Sequence, residues 1–377
     1  MWLRAARLLS AIVLVVLVQA SVRAANSIQQ TDIRPQGYGM HATGGATQCH
    51  FADEASLRNC LGRGGALAIA DVAFSIDPGR NPLMVAPNTT LDGKGLLTIT
   101  PSLYGLEIRV SNVIIRNVLF HGTGRRASLL PQIYPDANCT TPALAKDVFG
   151  CMVGIHVLAR ARNVWIDHNT FSDCGDICIS VWDNNDGTGH PDAITISNNV
   201  FRNSFFAIGV GVAGTAVTLP APGHLTFYGN LFSAIFRRQP RVSGGYQGHA
   251  FNNYYTGPPC HGVGPGLGLG LGFGPSVEAN GEILMENNVA ERDTCGSHIG
   301  NYDFSPAPGN GVAKGHGKIN ASQNIGFVSD QGNSVRDRLP IARADQDHLD
   351  FMPTYVYQLL PTDKVRELVL ANAGAHQ

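Results

Sequence analysis

Short runs rich in β-branched and aromatic residues recur along the chain, and each run reaches an asparagine at or near its end. Such runs predict β-strands. The asparagines Asn169, Asn199, Asn230, Asn253 and Asn288 follow one another at separations of 30, 31, 23 and 35 residues. One short unit therefore recurs, with insertions of variable length between its copies. The runs are NVIIRNVLF (112–120), NVWIDHNTF (163–171), AITISNNVF (193–201), HLTFYGNLF (224–232), HAFNNYY (249–255) and EILMENNV (282–289).

This recurrence predicts an all-β fold, a right-handed parallel β-helix (solenoid) with short capping helices and loop insertions. Asparagine tolerates the left-handed backbone conformation and its amide can bond to the next coil, so asparagines of successive coils can stack as a ladder. Apolar residues of successive coils would bury one another while each backbone pairs with the coils above and below. A β-sandwich is the alternative, but the adjacent strands lack the Asn-Gly or Asp-Gly turns that hairpins would show.

Two helices are predicted towards the ends of the chain. Residues 53–61 form a short helix. A second helix takes Thr362 as its N-cap, carries Val365 and Val369 on one apolar face and stops at Gly374. Either helix could cover an exposed end of the solenoid.

Composition and charge narrow the possible partners. The 377 residues include 44 glycines, and only 15% are charged, against about 25% in average soluble domains. The formal net charge of −1 offers no basic field of the kind that binds phosphate backbones. We therefore expect no nucleic-acid partner.

The first 24 residues have the basic, apolar and small-residue zones of a secretory signal peptide. We expect cleavage after Ala24, a secreted extracellular protein with no membrane attachment, and a single domain over residues 25–377 that acts as a monomer. A membrane anchor is the weaker interpretation, because the apolar run Leu8 to Ala20 is shorter than the ~20 residues that a spanning helix needs.

All eight cysteines lie beyond this segment, and an even number in an exported chain predicts disulfides. Spacing alone does not fix the connectivity. A zinc site is disfavoured because no CxxC pair occurs. Pairing of neighbours gives Cys49–Cys60, Cys139–Cys151, Cys174–Cys178 and Cys260–Cys295.

An ordered set of motifs along nearly the whole mature length resembles family 1 pectate lyases, polysaccharide lyases of the pectate lyase and pectin lyase superfamily. The specific part is the order VWIDH, TISNN, RQPR and HAFNNYY. The resemblance implies a parallel β-helix with an open cleft and eliminative cleavage of α-1,4-linked galacturonan, the acidic polysaccharide of plant cell walls, usually with calcium. The motifs are GYGMHATGG (37–45), SLRNCL (56–61), NTTLDGKG (88–95), NVIIRN (112–117), VWIDHNTFSDCGD (164–176), ITISNNVF (194–201), RQPR (238–241), GHAFNNYY (248–255) and NAGA (372–375).

By this resemblance Arg238 would be the catalytic base, and Arg241 and Arg237 would bind the substrate. The base removes the C5 proton of a uronate, and the glycosidic oxygen then leaves C4. That proton is acidic enough only if calcium or a guanidinium neutralises the neighbouring carboxylate. Since the pKa of arginine lies above about 12, activity should rise towards alkaline pH. The structural alternative for each arginine is an ion pair or a solvated charge.

The calcium ligands are where the sequence departs from the family. Asp176 matches one family ligand, but Ser180 and Gly154 occupy two other ligand positions. The polar loop that follows adds Asp183, Asp186 and Asp192 nearby, and of these acids we name Asp176, Asp183 and Asp186 as candidate Ca²⁺ ligands. A plain solvated turn is the alternative.

Two further departures remove cations from the expected cleft. Phe205 or Phe206 stands near the position of a substrate-binding lysine in the family, and Ser243 replaces the third arginine of the RxPRxR pattern. A less charged cleft would suit methyl-esterified pectin, whose carboxyl group is already neutral and requires no calcium.

The adjacent Asp167 and His168 resemble a catalytic pair. Neighbouring residues of a strand point to opposite faces, however, so we expect His168 to be a hydrogen-bonded scaffold residue. Two other classes of function stay open. One is a glycoside hydrolase, which needs paired carboxylates, and the other is a non-catalytic cell-wall glycan-binding protein that kept the coil and lost the chemistry.

Overall fold

The structure is a computed structural model. The chain winds in coils, and the strands of each coil lie above those of the coil before it. It describes residues 35–79, 81–100, 105–122, 153–174, 177–182, 189–211, 219, 221–258, 274–302, 317–331, 338–340 and 347–376. Residues Gln36–Gln377 form one compact unit. Among the described residues, no helix has the length and apolar character needed to cross a membrane.

The described chain contains mainly short strands. The first are β1 Thr47–Phe51, β2 Ala66–Ala70, β3 Phe74–Ile76, β4 Leu83–Met84, β5 Thr89–Asp92, β6 Leu97–Ile99, β7 Leu106–Ile108, β8 Val113–Arg116, β9 Leu119–His121, β10 Ile155–Val157, β11 Arg162–Asp167, β12 Thr170–Ser172, β13 Ile177–Val181 and β14 Asp192–Ser197. The others are β15 Val200–Val210, β16 Gly223–Tyr228, β17 Leu231–Arg237, β18 Arg241–Val242, β19 Tyr246–Phe251, β20 Tyr254–Thr256, β21 Ser276–Glu278, β22 Glu282–Glu286, β23 Val289–Ala290, β24 His298–Tyr302, β25 Lys318–Ser322, β26 Val328–Gln331 and β27 Arg338–Pro340. The helices are the 3-10 helices Tyr38–His41 and Cys295–Ser297 and the α-helices α1 Glu54–Gly62 and α2 Thr362–Asn372.

These strands form two sheets. One has ten strands in the order β1-β2-β5-β8-β11-β14-β16-β19-β22-β25, and the other has seventeen. Strands of successive coils pair in parallel, as in the register Ile194 to Leu225, while β26 and β27 pair antiparallel. The fold is thus the predicted parallel β-helix.

The interior of the coil is a set of apolar columns. One column consists of nearly parallel aromatic rings whose centroids lie 4.6 to 5.1 Å apart along the chain of contacts. Each stacked pair contributes about 0.5–1.5 kcal/mol beyond the burial of its apolar area. The rings belong to Phe120, Phe171, Phe201, Phe232 and Tyr255.

An asparagine ladder runs along one corner of the coil. From Asn199 onwards, each side-chain Oδ1 accepts hydrogen bonds from the backbone N–H and the Nδ2 of the preceding member, at 2.8 to 3.1 Å. The residue before each asparagine, rather than the asparagine itself, has a left-handed φ, between 50° and 64°. The sequence predicted that the asparagine itself would adopt the left-handed conformation and also form the ladder. In the structure the preceding residue adopts that conformation, and the asparagine forms the ladder. The ladder members are Asn169, Asn199, Asn230, Asn253, Asn288 and Asn324.

The N-terminal helix covers one end of the solenoid, as predicted. In α1 the carboxylate of Asp53 caps the helix by accepting a hydrogen bond from the Ser56 N–H at 2.8 Å. Leu57 and Leu61 are fully buried in the core beside β1, which is the first strand of the ten-stranded sheet. This helix therefore shields the edge that β1 would otherwise expose.

The C-terminal helix differs from the prediction in its start and its place. Pro361, not Thr362, is its N-cap, because the backbone at Pro361, with a ψ of 130°, is not yet helical while its carbonyl accepts a hydrogen bond from the Lys364 N–H at 2.8 Å. The apolar face packs through Val365 and Val369 on Tyr254. Helix α2 consequently lies along the flank of the coil rather than over its end.

Two segments that we name the N-terminal strap (residues 36–45) and the C-terminal strap (residues 347–361) cross the outer face of the ten-stranded sheet. The Gly39 N–H donates to Thr195 Oγ1 at 2.9 Å, and His249 Nδ1 lies 2.6 Å from the Tyr355 hydroxyl. The Gln358 N–H donates to Gln36 Oε1 at 2.9 Å and so joins the two straps. With this face occupied, the seventeen-stranded sheet carries the outer face on which a cleft can lie.

Two of the predicted disulfides are present, Cys49–Cys60 and Cys174–Cys178. Cys295 is also disulfide-bonded. The other predicted partners, Cys139, Cys151 and Cys260, lie outside the described residues, as does the signal segment 1–24.

Candidate active site

A row of outward-facing positions crosses the seventeen-stranded sheet, one from each successive coil. Their strand neighbours, such as Ile155, Ile179 and Ile208, are fully buried inside the coil, and the alternation of a strand therefore turns the row outwards. Pairing registers place the members side by side, about 4.8 Å apart from strand to strand. This outward row consists of Glu107, His156, Ser180, Gly209, Arg241 and Ser276.

Arg238 lies above the middle of the outward row. Strand β17 ends at Arg237, and Arg238 leaves the strand with a left-handed φ of 59°. Its carbonyl accepts a hydrogen bond from the Ile208 N–H at 2.8 Å, and its guanidinium Cζ lies 3.7 Å from the centroid of the Phe206 ring. A Cβ atom built on Gly209 would lie 3.5 Å from Arg238 Nη1. The half-buried guanidinium thus sits over the place where Gly209 has no side chain.

The other two predicted arginines flank this position in different environments. Arg241 is only 4% exposed, donates from Nη2 to the Gly211 carbonyl at 3.0 Å and has Nη1 3.8 Å from a carboxylate oxygen of Glu278. Arg237 is half-buried with its Cζ 5.3 Å from the centroid of the Phe236 ring. The structure therefore brings the three arginines to one region, and substrate binding by Arg241 and Arg237 stays a prediction.

His156 is a site residue that sequence reasoning missed. It is 6% exposed, and burial, followed by the nearby charge of Arg109, lowers its pKa to about 4. Neither of its ring nitrogens has a hydrogen-bond partner among the described residues, and the indole N–H of Trp182, whose ring lies 6.4 Å away, has none either. At neutral pH the two neighbouring members of the outward row, His156 and Ser180, are consequently both uncharged. The available signal was one polar residue within the apolar run VGIHVL (153–158).

These residues do not fit a calcium ion. Calcium takes six to eight oxygen ligands, several of them carboxylates, whereas this stretch of the row offers an imidazole and a hydroxyl. Across the described ranges, no group of three or more histidine, cysteine or acidic side chains could hold a metal. The proposed ligands Asp176, Asp183 and Asp186 lie outside the described residues.

The lowered pKa of His156 predicts a loss of stability in acid. Because the folded pKa lies below the ordinary value of about 6.5, the unfolded chain binds the proton more tightly, and stability present above about pH 6.5 is lost as the pH falls towards 4. Between pH 7 and about pH 4.5, the wild type should lose about 2 kcal/mol more unfolding free energy than His156→Phe. Urea unfolding at both pH values measures this difference, and equal losses in the two proteins would show that His156 is not the group responsible.

Asp167 and His168 lie on the ten-stranded sheet, away from Arg238. Contrary to the expectation of opposite faces, His168 Nδ1 lies 2.5 Å from Asp167 Oδ2. The reason is that β11 ends at Asp167 and His168 has a left-handed φ of 50°, which breaks the alternation. Asp167 also accepts hydrogen bonds from Ser197 and Asn198, so the pair is part of the scaffold.

Comparison with known proteins finds one matching family and several relatives. A family model described as pectate lyase matches residues 68–377. A probable pectate lyase 20 from Arabidopsis thaliana is 24% identical over 218 residues, covering 57% of this chain and 48% of the relative. Pectate lyase E from Dickeya chrysanthemi is 26% identical over 232 residues, covering 58% of this chain and 55% of the relative. The chain thus spans about half the length of these relatives.

Solved structures share the fold. A pectate lyase from Bacillus sp. N165 in complex with trigalacturonate superposes with a TM-score of 0.55 at 19% identity, covering 90% of this chain and 98% of that one. At this identity the likeness supports the parallel β-helix alone.

Proposed function

Because this chain belongs to the pectate lyase family, we propose that it cleaves polygalacturonate, the α-1,4-linked galacturonan of plant cell walls, by β-elimination with Arg238 as the base. The placement of Arg238 carries the proposal, since its guanidinium is held half-buried on the outer face of the sheet, above Gly209. Membership of the pectate lyase family supports galacturonan as the class of substrate. Secretion after cleavage of the signal segment belongs to the same proposal.

In the proposed reaction, a neutral nitrogen of Arg238 takes the C5 proton of a galacturonate unit. The electron pair of the C5–H bond forms a C4=C5 double bond while the bond from C4 to the glycosidic oxygen breaks. The leaving oxygen takes a proton from water. One product therefore carries a 4,5-unsaturated uronate, and the other a free hydroxyl group at its new end.

The contribution of the protein is to hold a weakly available base in place. An arginine whose pKa is above about 12 is neutral only in a small fraction of molecules at ordinary pH, and this fraction rises tenfold with each pH unit. Positioning next to the reacting atom offsets part of that cost, because a fixed base within reach converts the proton transfer into an intramolecular step.

A second candidate substrate, methyl-esterified pectin, is favoured by the uncharged stretch of the outward row. In polygalacturonate the carbanion at C5 would build negative charge beside a carboxylate, and a cation must compensate. In a methyl ester the carboxyl group is already neutral, so it needs no cation beside the buried, neutral His156 and Ser180. Calcium held by Asp176, Asp183 and Asp186 remains the proposal for the unesterified substrate.

One assay separates these candidates. Incubation of the protein with polygalacturonate or with highly methyl-esterified pectin, from about pH 6 to about pH 10 with calcium or with chelator, is followed by the ultraviolet absorbance of unsaturated ends. We expect product from galacturonan and a rate that rises close to tenfold per pH unit. Calcium-dependent product from polygalacturonate supports the first substrate, and product from pectin in chelator supports the second.

The remaining outcomes of this assay contradict the lyase proposal. New reducing ends without unsaturation would indicate a hydrolase, which needs two carboxylates at the bond. Retained binding of galacturonan with no cleavage of either substrate would indicate a glycan-binding protein.

A further inference from the structure

We infer that Phe206 is a positioning residue for the elimination: its ring holds the guanidinium of Arg238 in one orientation above the outward row. This inference rests on the proposed role of Arg238 as the base. Phe206 is not itself expected to touch the reacting atoms.

The contact between the two side chains is direct. The Cζ atom of Arg238 lies 3.7 Å from the centroid of the Phe206 ring, which is the distance of a guanidinium stacked on a ring face. Phe206 is only 4% exposed. The stack buries one face of each partner.

The ring that carries Arg238 is itself fixed. Phe205 is 3% exposed, its centroid lies 4.1 Å from that of Phe206, and its other neighbour, Phe236, is stacked with it at 5.3 Å. The backbones are tied as well, because Phe206 pairs in register with Arg237 across β15 and β17. Rotation of the Phe206 ring, or a shift of β15 along β17, would break these contacts.

Arg238 needs such support because its backbone gives little direction to its side chain. It lies one residue beyond the end of β17 in a left-handed conformation, and an arginine side chain has several freely rotating bonds. Gly209 lies next to the guanidinium, since a Cβ atom there would be 3.5 Å from Arg238 Nη1. The ring therefore defines the place of the charged group.

The stack also determines which side of the guanidinium the ring covers. A guanidinium donates protons in its plane, so a ring against its face does not block the nitrogen edges. The attraction between the ring and the guanidinium favours this stacked geometry. The contribution that we assign to Phe206 is therefore orientation, which acts on kcat.

The first test is kinetic. Phe206→Leu should lower kcat on the preferred galacturonan about tenfold, with KM changed less than about twofold and the slope of rate against pH unchanged. Phe206→Trp, which keeps an aromatic face, should restore most of the rate. Phe232→Leu is the matched control, because Phe232 loses equivalent ring contacts inside the coil, away from Arg238, and should retain the wild-type kcat below its unfolding temperature.

The second test requires no substrate. In urea unfolding at neutral pH, a double-mutant cycle of Phe206→Leu with Arg238→Met should be non-additive by about fivefold in the unfolding equilibrium constant, as for residues in contact. Additive effects would show that the stack does not hold Arg238 in solution and would overturn the inference.

The kinetic outcomes also separate this inference from the proposed function. If Phe206→Leu matches Phe232→Leu in kcat while Arg238→Lys is inactive, the positioning role is wrong and the base assignment stands. A rise in KM alone would make Phe206 a substrate contact and would likewise overturn the inference. Wild-type protein that forms no unsaturated product from either galacturonan overturns the proposed function, and with it the catalytic purpose of the stack.

Discussion

Replacing Arg238 by lysine is expected to lower kcat on galacturonan by about a thousandfold, within the range that a positioned general base contributes. Lysine keeps a positive charge in this region, but its ammonium is a compact point charge that cannot reproduce a planar group stacked on Phe206. Its single nitrogen would also miss the position that Arg238 Nη1 takes above Gly209. Initial rates of formation of unsaturated ends, measured with saturating substrate near pH 9 to 10, check this expectation.

Arg202→Lys is the control for this substitution. Arg202 lies on the same strand as Phe206 and Gly209 but is exposed, so its replacement makes the same chemical change without touching the candidate base. We expect wild-type rates from it. Full activity in Arg238→Lys, with a normal circular dichroism spectrum, would show that another group removes the C5 proton.

Asn230→Ala is expected to destabilise the protein by about 4 kcal/mol, because it removes four buried side-chain hydrogen bonds and leaves unpaired groups behind. The Oδ1 atom of Asn230 accepts from the backbone N–H and the Nδ2 of Asn199, at 3.0 and 3.1 Å. Its Nδ2 donates to the Ile196 carbonyl and to Asn253 Oδ1, at 2.9 and 3.0 Å. Urea unfolding followed by circular dichroism measures the loss.

The matched control is Asn324→Ala at the last member of the same ladder. Asn324 is half-buried, so water can replace part of what its amide provides, and we expect a loss of about 1–2 kcal/mol. Equal losses at the two positions would mean that the hydrogen bonds inside the ladder contribute no more than those at its end, which would contradict the argument from burial.

Much of the coil could be predicted from the sequence because its signals are local. The asparagines from Asn169 to Asn288 repeat with the coil, and the same residues form the ladder. Asn324 escaped notice because its strand, KINAS, is less apolar than the others. The left-handed position before each asparagine could not be predicted because no single residue type marks it. Histidine, glycine and glutamine occur there as well as asparagine.

The straps and the site depend on contacts between residues far apart in the chain, and so the sequence did not reveal them. The Gly39 N–H donates a hydrogen bond to Thr195, which lies 156 positions further along the chain. No local sequence pattern marks either residue as a partner of the other. The motif RQPR identified Arg238, and the family comparison placed an aromatic residue nearby, but the stack on Phe206 follows from the register of β15 with β17. The role of His156 became visible only when the register of β10 with β13 placed it beside Ser180.

The ladder has a consequence for how such a protein can diversify. Its members are separated by 23 to 36 residues, yet every one meets the next through the same pair of hydrogen bonds. Differences in coil length must therefore be absorbed elsewhere on each turn, where extra loop residues carry a small entropic cost. Segments there can be lengthened or exchanged without shifting the alignment of the ladder, so that the surface loops can change while the framework stays the same.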